Sequence, residues 1–322
     1  MSHHVPGLPW TEEQWAEVNQ VVQDAARKAR VASSFLPLVG PLPPGQASVP
    51  ALAMNQQTLV PATPAPGDWR GPSGARLYID DGETLKLITI ACLVYLTTQQ
   101  AEDPGLASAK QMLARAAVVL SRLEDSIVFN GQAAASTGPP TGVPPVRPAI
   151  YSISGGQHMS GLFKLVSPGP RLPRCIPIPT PKSWAEYGEF LVPAVVDAIN
   201  ALEERGQYGP FACIFGNDVY RAANRPTRSS MVLPSDRIVP FLGGGPLLRS
   251  GTIPANGGGL VALAGSPVDL VVATDMHVSY VQRSVETRHV VRVSERFVLR
   301  IKQPEAIQCL QGPGTTATLP ET

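Results

Sequence analysis

Residues 106–131 read LASAKQMLARAAVVLSRLEDSIVFNG, and this stretch decides how the rest of the chain is read. Ala, Leu and Met dominate it, all strong helix formers, and no Pro or internal Gly interrupts it. Leu106, Met112, Leu113, Ala116, Val119, Leu120, Leu123 and Ile127 fall on one broad apolar face. A long helix is therefore predicted over Leu106 to Val128, with Asn130-Gly131 as its stop. Glu124-Asp125, close to that end, reads as a solvated or interfacial pair and not as a catalytic one.

Toward the N-terminus, Thr11-Glu12-Glu13-Gln14 has the form of a capping box, with Thr11 as N-cap and Gln14 reaching back. Trp15, Val18, Val22, Ala25 and Ala29 follow at helical spacing, while Arg27, Lys28 and Arg30 gather where positive charge suits the helix dipole. A helix ending near Arg30 is predicted. From Phe35 to about Ala75, prolines from Pro37 to Pro72 favour extended backbone. Such a segment is out of place inside a compact domain but expected of an arm that reaches a neighbour. Arg76 to Asp80 and Glu83 to Tyr95 read as two strands around a turn at Asp81-Gly82.

Beyond the long helix, Gln132 to Pro181 is rich in Gly, Pro, Ser and Thr and reads as surface loop. Two apolar pieces inside it, Ala149 to Ile153 and Leu162 to Val166, suit strands or a hairpin. Ser183 opens a second capped helix that ends at Gly206, with Pro193 as a kink or a second start. Phe211 to Phe215 reads as a buried strand, Asp218 to Asn224 as a helix, and Ser235 to Leu242 as a short helical piece. Strands are predicted at Gly259 to Ala264, Asp269 to Thr274, Val278 to Gln282, Val290 to Val298 and Ala306 to Leu310. Val291, Val293 and Glu295 alternate with Arg292, Ser294 and Arg296, the period of a half-exposed strand.

Only 16% of the 322 residues are charged, against 43% hydrophobic. A soluble monomer carries about a quarter charged residues, so a chain this poor in charge is expected either to have a large core or to bury much of its surface in partners. The net charge is +1, with the basic residues scattered, and a protein that packed nucleic acid would need a basic tail or stripe. No nucleic-acid partner is expected. Cys92, Cys175, Cys213 and Cys309 lie far apart with no C-x-x-C pair, and are expected to be buried free thiols of a reducing cytoplasm. Met1 to Pro6 lacks the apolar core of a signal peptide, and the longest apolar run, Leu87 to Leu96, is too short to span a bilayer. A cytoplasmic location with no membrane partner is the expectation.

No spaced chemical signature stands out. Gly243-Gly244-Gly245 and Gly257-Gly258-Gly259 lack the Lys-Ser/Thr of a phosphate loop and read as turn glycines. His158, His277 and His289 are isolated, nothing in the sequence joins Asp218, Asp236, Asp269 and Asp275, and no Ser sits in a G-x-S-x-G elbow. No catalytic residue, metal ligand or cofactor is expected.

Five segments, in order along the chain, resemble the encapsulin family of nanocompartment shell proteins. Leu8-Pro9-Trp10-Thr11-Glu12-Glu13-Gln14-Trp15 resembles the family's opening helix start, and Gly40-Pro41 the Gly-Pro that follows. Leu123 to Gly131 is similar to the "E-D-x-x-I-F-x-G" that closes its long spine helix. Tyr208-Gly209-Pro210-Phe211-Ala212 resembles a "G-P-Y/F" strand start, and Arg296 to Ile307 the closing strand pair ending in "P-E/D-A-I".

The resemblance implies an α+β chain with the HK97-like fold of tailed-phage capsid proteins. It implies an N-terminal helix and arm (1–39), an extended loop and strands (40–100), and a spine helix with a Pro-rich insertion (101–182). An axial domain (183–285) and the closing strands of the peripheral domain with a tail (286–322) complete the layout. The implied function is that of a shell subunit that self-assembles into an icosahedral compartment around a cargo enzyme, with iron-storing ferritin-like proteins and peroxidases as plausible cargo. The family takes cargo through a C-terminal targeting peptide, and the matching positions are Val31, Phe35, Leu36, Val39 and Ile301. Pore-lining positions would be Arg225, Arg228, Asp236 and Arg237. Some relatives bind flavin near the strand at Leu93 to Thr98, where Tyr95 is the only aromatic, and no cofactor is expected. A phage or prophage major capsid protein is the alternative, and a hydrolase or protease the second.

Overall fold

The first helix, α1 (Glu12–Ala29), starts as its capping box requires: Thr11 Oγ1 accepts from Gln14 N, and Gln14 Oε1 accepts from Thr11 N. A 3-10 turn at Ala32–Ser34 leads into β1 (Leu38–Val39), β2 (Ser48–Pro50), β3 (Ala53–Gln57), β4 (Arg76–Asp80), β5 (Thr84–Lys86) and β6 (Ile88–Leu96). After α2 (Thr98–Glu102), α3 (Ala107–Asn130) and α4 (Gln132–Ser136) come β7 (Tyr151–Gly155), β8 (Ile176–Pro177) and α5 (Trp184–Glu203). The chain continues through β9 (Phe211–Phe215), α6 (Asn217–Ala223), α7 (Pro234–Ile238), β10 (Leu247–Arg249) and β11 (Gly257–Ala262). It closes with β12 (Val268–Arg283), β13 (His289–Ile301) and β14 (Ile307–Gln311). This computed structural model describes residues 8–57, 76–80, 82–136, 142–156, 159–164, 175–226, 231–284 and 286–313.

Two five-stranded sheets organise these elements, with orders β1-β12-β13-β6-β7 and β10-β9-β11-β14-β8. Their helices divide accordingly: α3 packs on α1, β6 and β13, and α5 on β14 and β11. Two small ladders, β2–β5 and β3–β4, hold the described parts of the Pro-rich segment, and Met54 N donates to Lys302 O beyond β13. Arg76 to Asp80 thus pairs backward with β3, not forward across the predicted Asp81-Gly82 turn. The piece at Leu162 is a 3-10 turn over Leu162–Lys164, not a strand; Val166 lies outside the described residues. α5 runs unbroken through Pro193.

α3 merits its length. Leu106 is a poor N-cap, and the Asp103 carboxylate replaces it by accepting from Ala107 N at 3.0 Å. Every residue from Leu123 to Asn130 is buried, so the second half of the helix has no wet face. Gly131 ends it at φ 85°, where a Cβ would stand 2.8 Å from Met159 O. Of the two settings expected for Glu124-Asp125, solvated or interfacial, the solvated one fails for this reason: neighbouring elements enclose this end of α3.

β12 and β13 form one long antiparallel hairpin, merging strands predicted separately at Asp269 and Val278. Its register shifts between Val272 and Thr274, between Thr274 and His277, and between Tyr280 and Gln282. Such bulges re-aim side chains, and the middle one sets Asp275. Ser294 is buried as well as Glu295, so β13 is covered on both faces here and is not half-exposed. The boundary expected near 285 cuts this hairpin: β12 belongs to the first sheet and β14 returns to the second.

Cys175 and Cys309 are disulfide-bonded, correcting the expectation of four free thiols; only Cys92 and Cys213 are free, and both are buried. The parallel pairing of β8 with β14 brings together two residues 134 apart in the chain, which spacing in the sequence could not reveal. Among the described residues, no helix is long and apolar enough to cross a membrane.

Phe129 ties the layers together. Its ring stacks between Phe35, 6.4 Å away, and Phe163, 5.7 Å away. Replacing this fully buried ring by Ala removes packing on both sides and is expected to cost about 3–5 kcal/mol. Thermal unfolding of Phe129→Ala should show a markedly lower midpoint than Phe129→Leu, which keeps most of the volume; equal midpoints would count against this role.

Candidate functional site

Arg30 is the C-cap of α1 and the centre of a buried charge cluster. Its side chain, 11% exposed, meets carboxylates from three other elements. Nε lies 2.6 Å from Glu124 Oε2 on α3, Nη2 2.6 Å from Glu295 Oε1 on β13, and Nη1 3.2 Å from Asp275 Oδ1 in the β12 bulge. The neighbouring Asp125 accepts from Val31 N at 3.0 Å and Ala32 N at 2.8 Å, capping the turn that follows α1. The adjacent acids of α3 thus grip one helix end twice, by side chain and by backbone.

Electrostatics here are dominated by the loss of water. Burial pushes Asp125 up to about 7 against the pull of the Ala32 and Val31 N–H groups. Glu124 and Glu295 are likewise raised, first by burial and then by nearby acids, with Arg30 opposing. Burial alone would lower Arg30, but the surrounding acids overcome it and keep the guanidinium charged. One cation serves several acids and does not neutralise them all, and Glu124 Oε1 finds no hydrogen-bond partner among the described residues.

Beside this cluster opens a pocket of about 350 Å³, with Arg30, Glu124 and Asp275 on one side and Leu38, Val39 and Val272 on the other. Leu38 is 56% exposed and Val39 37%, both on β1, a two-residue strand at the sheet edge. Gly40 follows because a Cβ there would sit 2.0 Å from Val272 O.

Of the positions proposed from sequence for peptide binding, Val39 lines this pocket. Phe35 and Leu36 turn into the core, and Val31 and Ile301 pack half-buried against it. Arg30, Glu124, Asp275 and Leu38 escaped the sequence reading, though Arg30 and the Glu124-Asp125 pair had been noted for other reasons. Of the pore positions, Arg237 Nη1 is paired with Glu189 Oε2 at 2.8 Å, which leaves its charge matched. Arg225 is half-buried just after α6, Asp236 is exposed in α7, and Arg228 lies outside the described residues. Among the described residues no group of three or more His, Cys, Asp or Glu is arranged to hold a metal ion.

The two-sheet architecture with its long helix has the fold of HK97-like capsid proteins. The chain superimposes on the virus-like particle of Pyrococcus furiosus with a TM-score of 0.62 at 16% identity, covering 94% of this chain and 100% of that one. On the capsid of Myoviridae phage XM1 the TM-score is 0.57 at 13% identity, covering 87% and 91%. Sequence narrows the class. Residues 178–298 match the family described as "Encapsulating protein for peroxidase". The type 1 encapsulin shell protein EncA of Myxococcus xanthus is 26% identical over 312 residues, 96% of each chain. A diheme-cytochrome–encapsulin shell fusion protein of Kuenenia stuttgartiensis is 25% identical over 306 residues, 93% of this chain and 73% of that one. The resemblance read from the sequence holds: over nearly its whole length the chain is similar to encapsulin shell proteins, and its fold is that of HK97-like capsid proteins.

The charge cluster predicts a pH dependence. Its carboxyls are raised in the folded chain, so it holds protons that the unfolded chain releases near pH ~4. The corresponding stability is complete below that and is lost as pH rises toward about 7. Glu124→Gln removes one acid and leaves Arg30 to Glu295 and Asp275. Melting curves of variant and wild type should converge near pH ~5 and separate at pH ~8 with the variant higher. A constant offset across that range would remove the cluster as the cause.

Proposed function

We propose that many copies of this chain close into a hollow icosahedral compartment, and that the pocket beside Arg30 receives an extended targeting segment of an enclosed enzyme. The observation that carries this reading is the pair Leu38 and Val39, apolar and open to solvent on an edge strand beside a charged wall. An edge strand offers unpaired backbone groups to an extended peptide, and the pocket offers burial for its apolar side chains. One such contact is weak; the repetition of the pocket over a shell supplies a high local concentration.

The enclosed enzyme, not the shell, carries the catalysis. A peroxidase is favoured by the description of the matching family, with a ferritin-like iron-storing protein as the second reading. The chain expressed alone should elute in the void volume of a sizing column and appear as uniform closed spheres by electron microscopy. A monodisperse monomer at several salt and pH conditions would overturn the compartment.

Val39→Asp places a carboxylate in the pocket beside acids already short of counter-charge. Shells of this variant should form normally but retain cargo from the native host on the order of tenfold less than wild type, as judged by quantitative mass spectrometry. Undiminished cargo would move the docking site elsewhere.

A further inference from the structure

The Cys175–Cys309 disulfide lies far from Arg30 in the fold's other sheet, and the compartment reading does not use it. Cys309 sits on β14 and is 8% exposed; Cys175, just before β8, is half-buried. Both line a cavity of about 440 Å³ walled also by Asn130, Phe163 and Asn256. A water molecule occupies roughly 30 Å³ of liquid, so this space admits a small organic thiol.

The bridge restrains the upstream end of a segment whose regular pairing is short, although Ile178 further along is buried. β8 is two residues long, and one of them, Pro177, has no N–H to donate. Beyond its short parallel pairing with Leu310 and Gln311, the segment is tied by Ile178 N donating to Gln311 O at 2.7 Å. Downstream, Lys182 N donates to Glu186 on α5. The covalent link therefore secures the upstream end of the segment that connects β8 to α5.

We propose that the Cys175–Cys309 disulfide is a redox-cleavable clasp, opened by a low-molecular-weight thiol that enters this cavity. The thiolate attacks the more accessible Cys175 sulfur, forming a mixed disulfide and expelling Cys309 as a thiolate that takes a proton from water. A second thiolate attacks the small-molecule sulfur of the mixed disulfide, releasing Cys175 as a thiolate that is likewise protonated. Two thiols are oxidised to one small disulfide, and the protein disulfide gains two electrons and two protons. With the bond open, the segment keeps the short β8 ladder, its two backbone hydrogen bonds and the buried Ile178, while its upstream end is released. Cys92 and Cys213, buried and not among the residues that line the cavity, take no part.

The test uses the assembled wild-type protein with reduced glutathione as probe, followed by alkylation and peptide mapping. Without thiol, Cys175 and Cys309 should resist alkylation. With thiol under native conditions both should become alkylated, glutathione should be trapped on Cys175 at early times, and Cys92 and Cys213 should stay unmodified. Reduced shells should also be cleaved several-fold faster by protease between α4 and α5. Cys175→Ser should show that fast cleavage whether or not thiol is present. Alkylation of both residues without reductant would show that no clasp forms. Reaction only after denaturation would show that the cavity does not admit a thiol. An unchanged cleavage rate in reduced wild type would show that the bond restrains nothing.

Discussion

A single guanidinium shared among three carboxylates is the constraint on which the first half of the structure depends. Arg30 joins the end of α1, the enclosed half of α3, the bulge in β12 and the middle of β13. Apolar contact between α1 and α3 would tolerate sliding by a turn, because Leu, Val and Ala faces are interchangeable at that spacing. A planar cation among fixed acceptors has one position. Desolvating those groups is costly, so the gain lies in registration more than in stability. The same arrangement leaves a charged wall beside β1, and the pocket is the open side of that junction.

Around this junction the chain weaves two sheets instead of completing one before starting the next. β13 is flanked by β12 and β6, and β14 leaves it after a short turn to lie between β11 and β8. Core residues from both sheets consequently merge, with Ala212, Ile214 and Val261 packing into the cluster that contains α3. The ladders β2–β5 and β3–β4 lie beside the first sheet, with Val49 packed against Val271 and Val298. The chain's low share of charge accords with a surface meant for copies of itself.

Local chemistry made much of the fold legible in the sequence. Thr11 and Gln14 announced α1, the run from Leu106 announced α3 and Gly131 its end, and Phe211 to Phe215 showed as an apolar strand. What stayed hidden depends on pairing at a distance. Arg76 to Asp80 looked like half of a local hairpin because nothing in its sequence names β3 as its partner. Glu124 and Asp125 looked solvated because helical periodicity assumes a wet face, and α3 loses that face only when α1 and β13 close over it. Cys175 and Cys309 met through a two-residue strand that no periodicity could signal. At the pocket, Val39 was anticipated, but the charged wall opposite needed Asp275, whose position is set by a bulge. Phe35 and Leu36 shared the apolar character of Val39 and lay in the same segment, yet the turn after α1 points them inward.

The return of β14 to the second sheet has a consequence for how the subunit is made. β11 leaves the ribosome before β14, the strand that covers its open edge, and β6 waits far longer for β13. During translation both sheets present raw edges, and neither core seals until residue 311 is out. A polypeptide released early would therefore lack strands at the middle of its architecture, not at its margin. Both sheets thus depend on strands made last, which makes the order of synthesis part of how the fold is completed.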